Sequence, residues 1–215
     1  MDLTIHAPKL RNLRVRGFIY SLFLEDTRVI NTVVLEIWLR NYGCLDDIFD
    51  CLANVEVLVL NDSFWLSTYH YKPPKKFPKG LGRLRTLILA YVRLYEQAHM
   101  SFVLCLLASS PRLEKLSIQV PQFAEVTDDQ PVQIDCSNIF QCLRKVQLLG
   151  MLGLRSELQL IQYILAQSPV LEEMTIGLNE ITSQMGSEVK YCFSLEAMLC
   201  PRASPNAEII ITTVC

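Results

Sequence analysis

The sequence is poor in glycine and histidine, and it lacks the spacings on which common catalytic motifs rest. Its 8 glycines are too few and too scattered to build a phosphate-cradling loop, and no G-x-S-x-G elbow occurs. The 3 histidines, His6, His70 and His99, stand far apart, and none falls in H-x-x-x-H, H-E-x-x-H or a Cys–His spacing. Cysteine occupies positions 44, 51, 105, 136, 142, 192, 200 and 215 without a C-x-x-C pair among them. Zinc sites and redox pairs depend on such spacing, so free thiols are expected. Cys105 lies in an apolar helical run, and Cys44 and Cys51 flank another, where cysteine packs as a small hydrophobe. Asp46-Asp47 and Asp128-Asp129 are adjacent pairs, which suit a helix start and a turn better than an acid–base couple. No catalytic, cofactor-binding or metal-binding residue is therefore expected, and the chain does not read as an enzyme.

Long apolar runs are missing too. The stretch 102–108 falls far short of the roughly 20 residues that span a bilayer. The opening MDLTIHAPKLRNLRVRG mixes polar and charged residues where a secretory signal needs an unbroken apolar core. Formal net charge is -2, which gives no general attraction to nucleic acid or to a membrane surface. With 51% apolar and 20% charged residues, the composition is that of a globular chain able to bury a core. The expectation is a soluble protein in a reducing compartment, cytoplasmic or nuclear.

What is present is repetition. Residues 101–118 read SFVLCLLASSPRLEKLSI, and 58 positions later residues 160–176 read LIQYILAQSPVLEEMTI. Leu107, Ala108, Ser110, Pro111, Leu113, Glu114 and Ile118 recur as Leu165, Ala166, Ser168, Pro169, Leu171, Glu172 and Ile176. Each copy predicts an apolar helix, a Ser-Pro break and a short strand, because proline lacks the N–H that a helix interior needs. The strand part, L-x-x-L-x-L, starts at Leu10, Val55, Leu84, Leu113, Leu143 and Leu171, with a weaker copy at Ile30. From position 55 the steps are 29, 29, 30 and 28, and the two before it are 20 and 25. That period is the signature of leucine-rich repeats. Parallel strands need a crossover, and about 29 residues leave room for one helix. The predicted fold is an α/β leucine-rich-repeat solenoid, with parallel strands on the concave face and helices on the convex face. Helices are predicted over 46–52, 95–108 and 156–167, the last opened by a capping box, Ser156-Glu-Leu-Gln159. Residues 61–80, with Pro73, Pro74 and Pro78, predict a loop, and 122–138 a longer acidic connection. Beyond 176 the pattern fades until a last strand over 207–214.

Alternation assigns the faces. Leu87, Leu89 and their equivalents point toward the helices, and their neighbours point away. The candidate partner-binding stripe is thus Arg14, Arg16, Val59, Asn61, Thr86, Ile88, Lys115, Ser117, Gln119, Lys145, Gln147 and Thr175. The 61–80 segment adds Trp65, Tyr69 and Tyr71 as candidate contacts, beside Phe77 and Lys72, Lys75, Lys76 and Lys79. Rings mixed with lysines could stack nucleobases. The near-neutral charge favours a solvated loop whose rings tuck back onto the repeats.

From Leu143 onward the residues resemble the FBD region of plant F-box/FBD/leucine-rich-repeat proteins. The resemblance rests on Leu143-Arg-Lys-Val146 with Gly150 and Gly153, on Glu157-Leu158, and on Leu165-Ala-Gln-Ser-Pro-Val-Leu-Glu-Glu-Met174-Thr-Ile176. The ending Arg202-Ala-Ser-Pro-Asn-Ala-Glu-Ile-Ile210 resembles the tail of that family, and the earlier units resemble its repeat region. It implies a repeat array over 1–142 and an FBD region over 143–215 that continues the same solenoid. It also implies a non-catalytic module resembling the substrate-binding part of an SCF-type ubiquitin ligase receptor, with an unidentified protein substrate. The alternative is a stand-alone interaction or decoy module without ligase recruitment. Repeat-like sequence is under way from Met1, so an F-box is expected to be absent. The SCF adaptor is a partner only if an F-box lies upstream, and the strand at Leu10–Val15 is expected to leave an open edge.

Overall fold

The computed structural model describes residues 2–27, 29–39, 45–68, 71–121, 134, 140–179 and 187–214. Ten strands and five helices lie along these residues. The strands are β1 (Asp2–His6), β2 (Asn12–Ile19), β3 (Ser21–Glu25), β4 (Thr32–Leu39) and β5 (Val57–Leu60), then β6 (Thr86–Ala90), β7 (Lys115–Gln119), β8 (Lys145–Met151), β9 (Glu173–Asn179) and β10 (Glu208–Val214). The helices are α1 (Leu45–Cys51), α2 (Asp62–Leu66), α3 (Gln97–Ser109), α4 (Arg155–Gln167) and α5 (Ser187–Leu199). Eight strands form one sheet in the order β10-β9-β8-β7-β6-β5-β4-β2, and every pairing in it is parallel.

All seven predicted units start a strand two residues after their first apolar residue, from Leu10 and Asn12 through Leu171 and Glu173. The step between units is written into the backbone. The N–H groups of Arg85 and Thr86 both donate to the Glu56 carbonyl, those of Glu114 and Lys115 to Arg85, and those of Arg144 and Lys145 to Glu114. The second residue of each unit therefore sits beside its counterpart. These residues read Glu56, Arg85, Glu114, Arg144 and Glu172 in order, with ion pairs from Arg85 to Glu114 and from Arg144 to Glu172. Asn31 extends the row by donating to Glu56 at 2.8 Å.

Alternation in the strands is as predicted. Leu87, Leu89, Leu116, Ile118, Val146, Leu148, Met174 and Ile176 are buried, and they merge with helix residues such as Phe102, Leu106, Ile161 and Leu165 into one apolar cluster. The register lines up Leu13, Val33, Leu58, Leu87, Leu116, Val146, Met174 and Ile209 as one inward row. Strands of α/β folds bury such rows because neither layer can hide its apolar face alone.

Two local expectations change, the 61–80 loop and the cap of α4, and two features are added to the sequence reading. The 20-residue step between the first two units has no helix among its described residues; its return segment is the strand β3, which pairs in parallel with β1 as a separate two-stranded layer. The reason is reach: at about 3.3 Å per residue a five-residue strand spans about 16 Å, which a helix at about 1.5 Å per residue needs twice the chain to match. In the 61–80 segment, residues 62–66 form the short helix α2 rather than loop. The capping residue of α4 is Glu157, not Ser156. Its carboxylate accepts from the N–H groups of Leu152, Gly153 and Leu154 at 2.8–3.1 Å, while the Ser156 hydroxyl is buried inside the first turn without a partner among the described residues. The helix α5 lies where the pattern fades, because its outward side carries Tyr191, Leu195 and Met198, which blur the apolar stripe. The 122–138 connection falls outside the described residues, apart from residue 134.

Gly150 shows why one family-like glycine is needed. Its φ is +74°, and a Cβ there would stand 2.9 Å from the Val120 carbonyl oxygen of the neighbouring unit. Only glycine meets both conditions without moving that backbone.

Candidate functional site

The outward side of the eight-stranded sheet is the face that the helices leave uncovered. Register carries three parallel rows across it. The central row is Arg14, Val34, Val59, Ile88, Ser117, Gln147, Thr175 and Ile210. Thr86, Lys115, Lys145 and Glu173 make a second row, where Lys145 pairs with Glu173 at 3.5 Å. Arg16 with Glu36, and Ala90 with Gln119, lie in a third. Thus Arg14, Arg16, Val59, Thr86, Ile88, Lys115, Ser117, Gln119, Lys145, Gln147 and Thr175 all share one face, half-buried or exposed, and Asn61 stands at its rim. Lysine, serine, glutamine and threonine alternate with isoleucine and valine there, a mixture suited to hydrogen bonding over a modest apolar area.

The 61–80 segment corrects one candidate. Trp65 is 1% exposed, and its indole Nε1–H donates to the Ala90 carbonyl at 3.0 Å. It contacts no surface. Burial draws the ring in because the indole is large and its one polar atom finds a partner inside. Tyr71 is half-buried, packs 5.8 Å from Phe102 and donates its hydroxyl to Asp46 at 2.5 Å. Burial, and then the Asp46 carboxylate, hold that phenol above its ordinary pKa. Tyr69 falls outside the described residues. Phe77 is buried as well, while Lys72, Lys75, Lys76 and Lys79 are exposed. Trp65 and Phe77 are thus turned into the core and Tyr71 is half-buried, while the lysines stay in solvent, so these three rings and the lysines do not form a stacking platform.

Trp65 nevertheless shapes the open face from below. The carbonyl that it holds belongs to Ala90, and the next residue, Tyr91, has φ +64°, a left-handed conformation rare for a bulky side chain. His99 supports the same turn. The Arg93 N–H donates to its Nδ1 at 3.3 Å, so its Nε2 carries the proton and donates to the Trp65 carbonyl at 3.1 Å. Burial lowers the His99 pKa from 6.5 to about 4, outweighing the Trp65 carbonyl, which favours the protonated ring, while the nearby Arg93 charge adds a smaller lowering. Since the folded value is depressed, the unfolded chain binds more protons between these two values. Stability is complete above about pH 6.5 and falls as pH drops toward 4, by roughly 3 kcal/mol in all. His99→Gln can keep both hydrogen bonds without titrating. Urea unfolding at pH 7 and at about pH 4.5 should show a smaller loss in this variant than in the wild type; equal losses would assign the slope to other groups.

Beside Tyr91 lies an open pocket of 330 Å³ lined by Arg16, Glu36, Trp38, Asn61, Asp62 and Tyr91, among others. Phe18, 61% exposed, stacks on Trp38 with ring centroids 5.0 Å apart. Glu36 accepts from the Asn61 amide at 3.0 Å and faces Arg16 at 3.8 Å. Of these residues, the stripe derived from the sequence contains only Arg16 and Asn61. Glu36 and Trp38 follow from the same alternation if it is carried two further pairs along β4, past the end of the L-x-x-L-x-L unit. Tyr91 left no such signal, because a reversed backbone turn sets its direction.

Among the described residues no group of three or more His, Cys, Asp or Glu side chains is placed to hold a metal ion. No described helix is long and apolar enough to cross a membrane. Cys51, Cys105, Cys142, Cys192 and Cys200 form no disulfide among the described residues.

Residues 137–176, which span the start of β8 through most of β9, match the FBD family. An F-box/FBD/LRR-repeat protein of Arabidopsis thaliana is 23% identical over 231 aligned residues, covering 97% of this chain and 52% of its own length. The chain is thus similar to a plant F-box/FBD/LRR-repeat protein over nearly its whole length, and it carries a match to the FBD family within it. It spans about half the length of that curated relative. No solved structure matches it. The matched residues include Gly150 and the Glu157 cap, which together fix the turn from β8 into α4.

Proposed function

We propose that this chain is a leucine-rich-repeat solenoid whose open strand face recognises a protein, as the substrate-binding portion of an SCF-type ubiquitin ligase receptor. The concave side is then the outward face of the eight strands, the helices form the convex side, and the 143–215 region continues the array. The observation that carries the reading is the set of three registered rows of uncovered side chains, running across a sheet whose relative is an F-box/FBD/LRR-repeat protein. Stacked repeats present such an extended surface because each unit contributes one short segment of it. Recognition needs no turnover, so the module is non-catalytic, and its partner is a protein rather than nucleic acid or membrane.

Ile88→Glu with Gln147→Glu places two charges in the central row without touching the core. Quantitative mass spectrometry after affinity capture should show a specific set of proteins lost from this variant. The set should be retained by Gln162→Glu, an exposed change on α4. Ubiquitination of a captured protein by a ligase reconstituted with the full-length receptor should drop in parallel. Capture that is indifferent to the open-face variant would reject this face as the recognition surface.

A further inference from the structure

The pocket at the β2, β4 and β6 strand ends has a composition more specific than the rest of the face. Its ionised groups are Arg16, Glu36 and Asp62, so the balance is one excess negative charge. Its walls are aromatic: Trp38 and Tyr91, the latter 42% exposed. Trp38 is held in place by Phe18, and Tyr91 by the buried Trp65 hydrogen bond to the preceding carbonyl. Rigid aromatic faces beside carboxylates attract a cation both through the ring quadrupole and through charge.

Resting on the recognition reading above, we propose that this pocket takes the guanidinium of an arginine side chain borne by an extended segment of the protein partner. A planar fork of donors can stack on the Trp38 or Tyr91 ring while it bonds to carboxylates at its edge. Glu36 is a prepared acceptor. Asn61 fixes one of its oxygens at 3.0 Å, and among the described residues the other faces only the Arg16 Nε at 3.8 Å, beyond hydrogen-bond length. The Arg16 side chain is 80% exposed, so this loose rim pair can be exchanged for an incoming guanidinium. Arg16 thus competes with the ligand for the carboxylate, and its removal has a diagnostic sign: an anion site would weaken and a cation site would tighten.

The probes are three blocked tripeptides, acetyl-Gly-Xaa-Gly-amide, with arginine, lysine or the neutral isostere citrulline at the centre. The protein has 2 tryptophans, so NMR of the two indole N–H groups gives one reporter in the pocket, Trp38, and one internal control, Trp65. The arginine peptide should shift the Trp38 resonance alone and bind about tenfold more tightly than the citrulline peptide, with lysine between them. Asp62→Asn and Glu36→Gln should each weaken it about threefold or more, and Arg16→Gln should strengthen it. An unchanged Trp65 resonance certifies the fold of each variant. Equal binding of arginine and citrulline, tighter binding of lysine, or weakening by Arg16→Gln would overturn the proposal. Should the open-face variant lose its captured proteins while the arginine peptide leaves Trp38 unmoved, the pocket proposal alone fails. Should the peptide bind while capture ignores the face, the recognition reading alone fails.

Discussion

Phe102→Ala is expected to destabilise the protein by about 3–5 kcal/mol, through lost transfer energy and the cavity that remains. Phe102 is fully buried on α3, and its ring lies 5.5 Å from Phe49 and Phe64, 5.8 Å from Tyr71, 5.9 Å from Phe77 and 6.0 Å from Trp65. Those neighbours come from α1, α2 and the segment that follows α2, so one side chain joins three successive crossovers. Phe49 and Phe77 are already stacked at 4.4 Å and cannot close over the gap without giving up that contact. Urea unfolding followed by circular dichroism measures the change. A loss below about 1.5 kcal/mol, the size of an ordinary surface or conservative change, would mean that the cluster collapses freely around the gap.

The second large effect tests the direction of the strands. Leu116→Ala and Leu87→Ala should each cost about 2–5 kcal/mol, since both lie in the inward row, at 2% and 0% exposure. Ser117→Ala, one residue along on the outward row, should change stability by no more than about 0.5 kcal/mol. The contrast between adjacent positions is the informative quantity, because a one-residue slip of register exchanges the faces. Melting curves that rank Ser117→Ala with Leu116→Ala would reverse the assignment of core and open face.

The repeats were legible because their signal is local and recurs: each L-x-x-L-x-L places its own strand, and the copies check one another. Lengths of return segments were partly legible. The 20-residue step was visible at Ile30, but that it forces a strand rather than a helix follows only from the distance the chain must recross. The cap on α4 misled because Ser156 and Gln159 satisfy the spacing of a capping box, while the buried Glu157 carboxylate binds three backbone N–H groups and outcompetes them. Trp65 misled for a different reason. A tryptophan in a lysine- and proline-rich stretch has the composition of a surface loop, and only the tertiary position of the Ala90 carbonyl shows where its N–H is satisfied. The pocket was half legible: Arg16 and Asn61 follow from alternation, whereas Tyr91 depends on one residue with positive φ.

The row Glu56, Arg85, Glu114, Arg144, Glu172 adds a property that no single unit has. In backbone the array repeats with every unit, but in charge it repeats with every second one. Arg85 is bound to Glu114 and Arg144 to Glu172, so the units are associated in twos. Excision of one interior unit would set Arg85 against Arg144 or Glu56 against Glu114, whereas excision of an adjacent two would leave the alternation intact. Each exposed pair is weak, about 0.2–1 kcal/mol, too little to hold the fold together but enough to bias which unit settles beside which. The array has a parity, and changes in its length by whole units are cheaper in even steps than in odd ones.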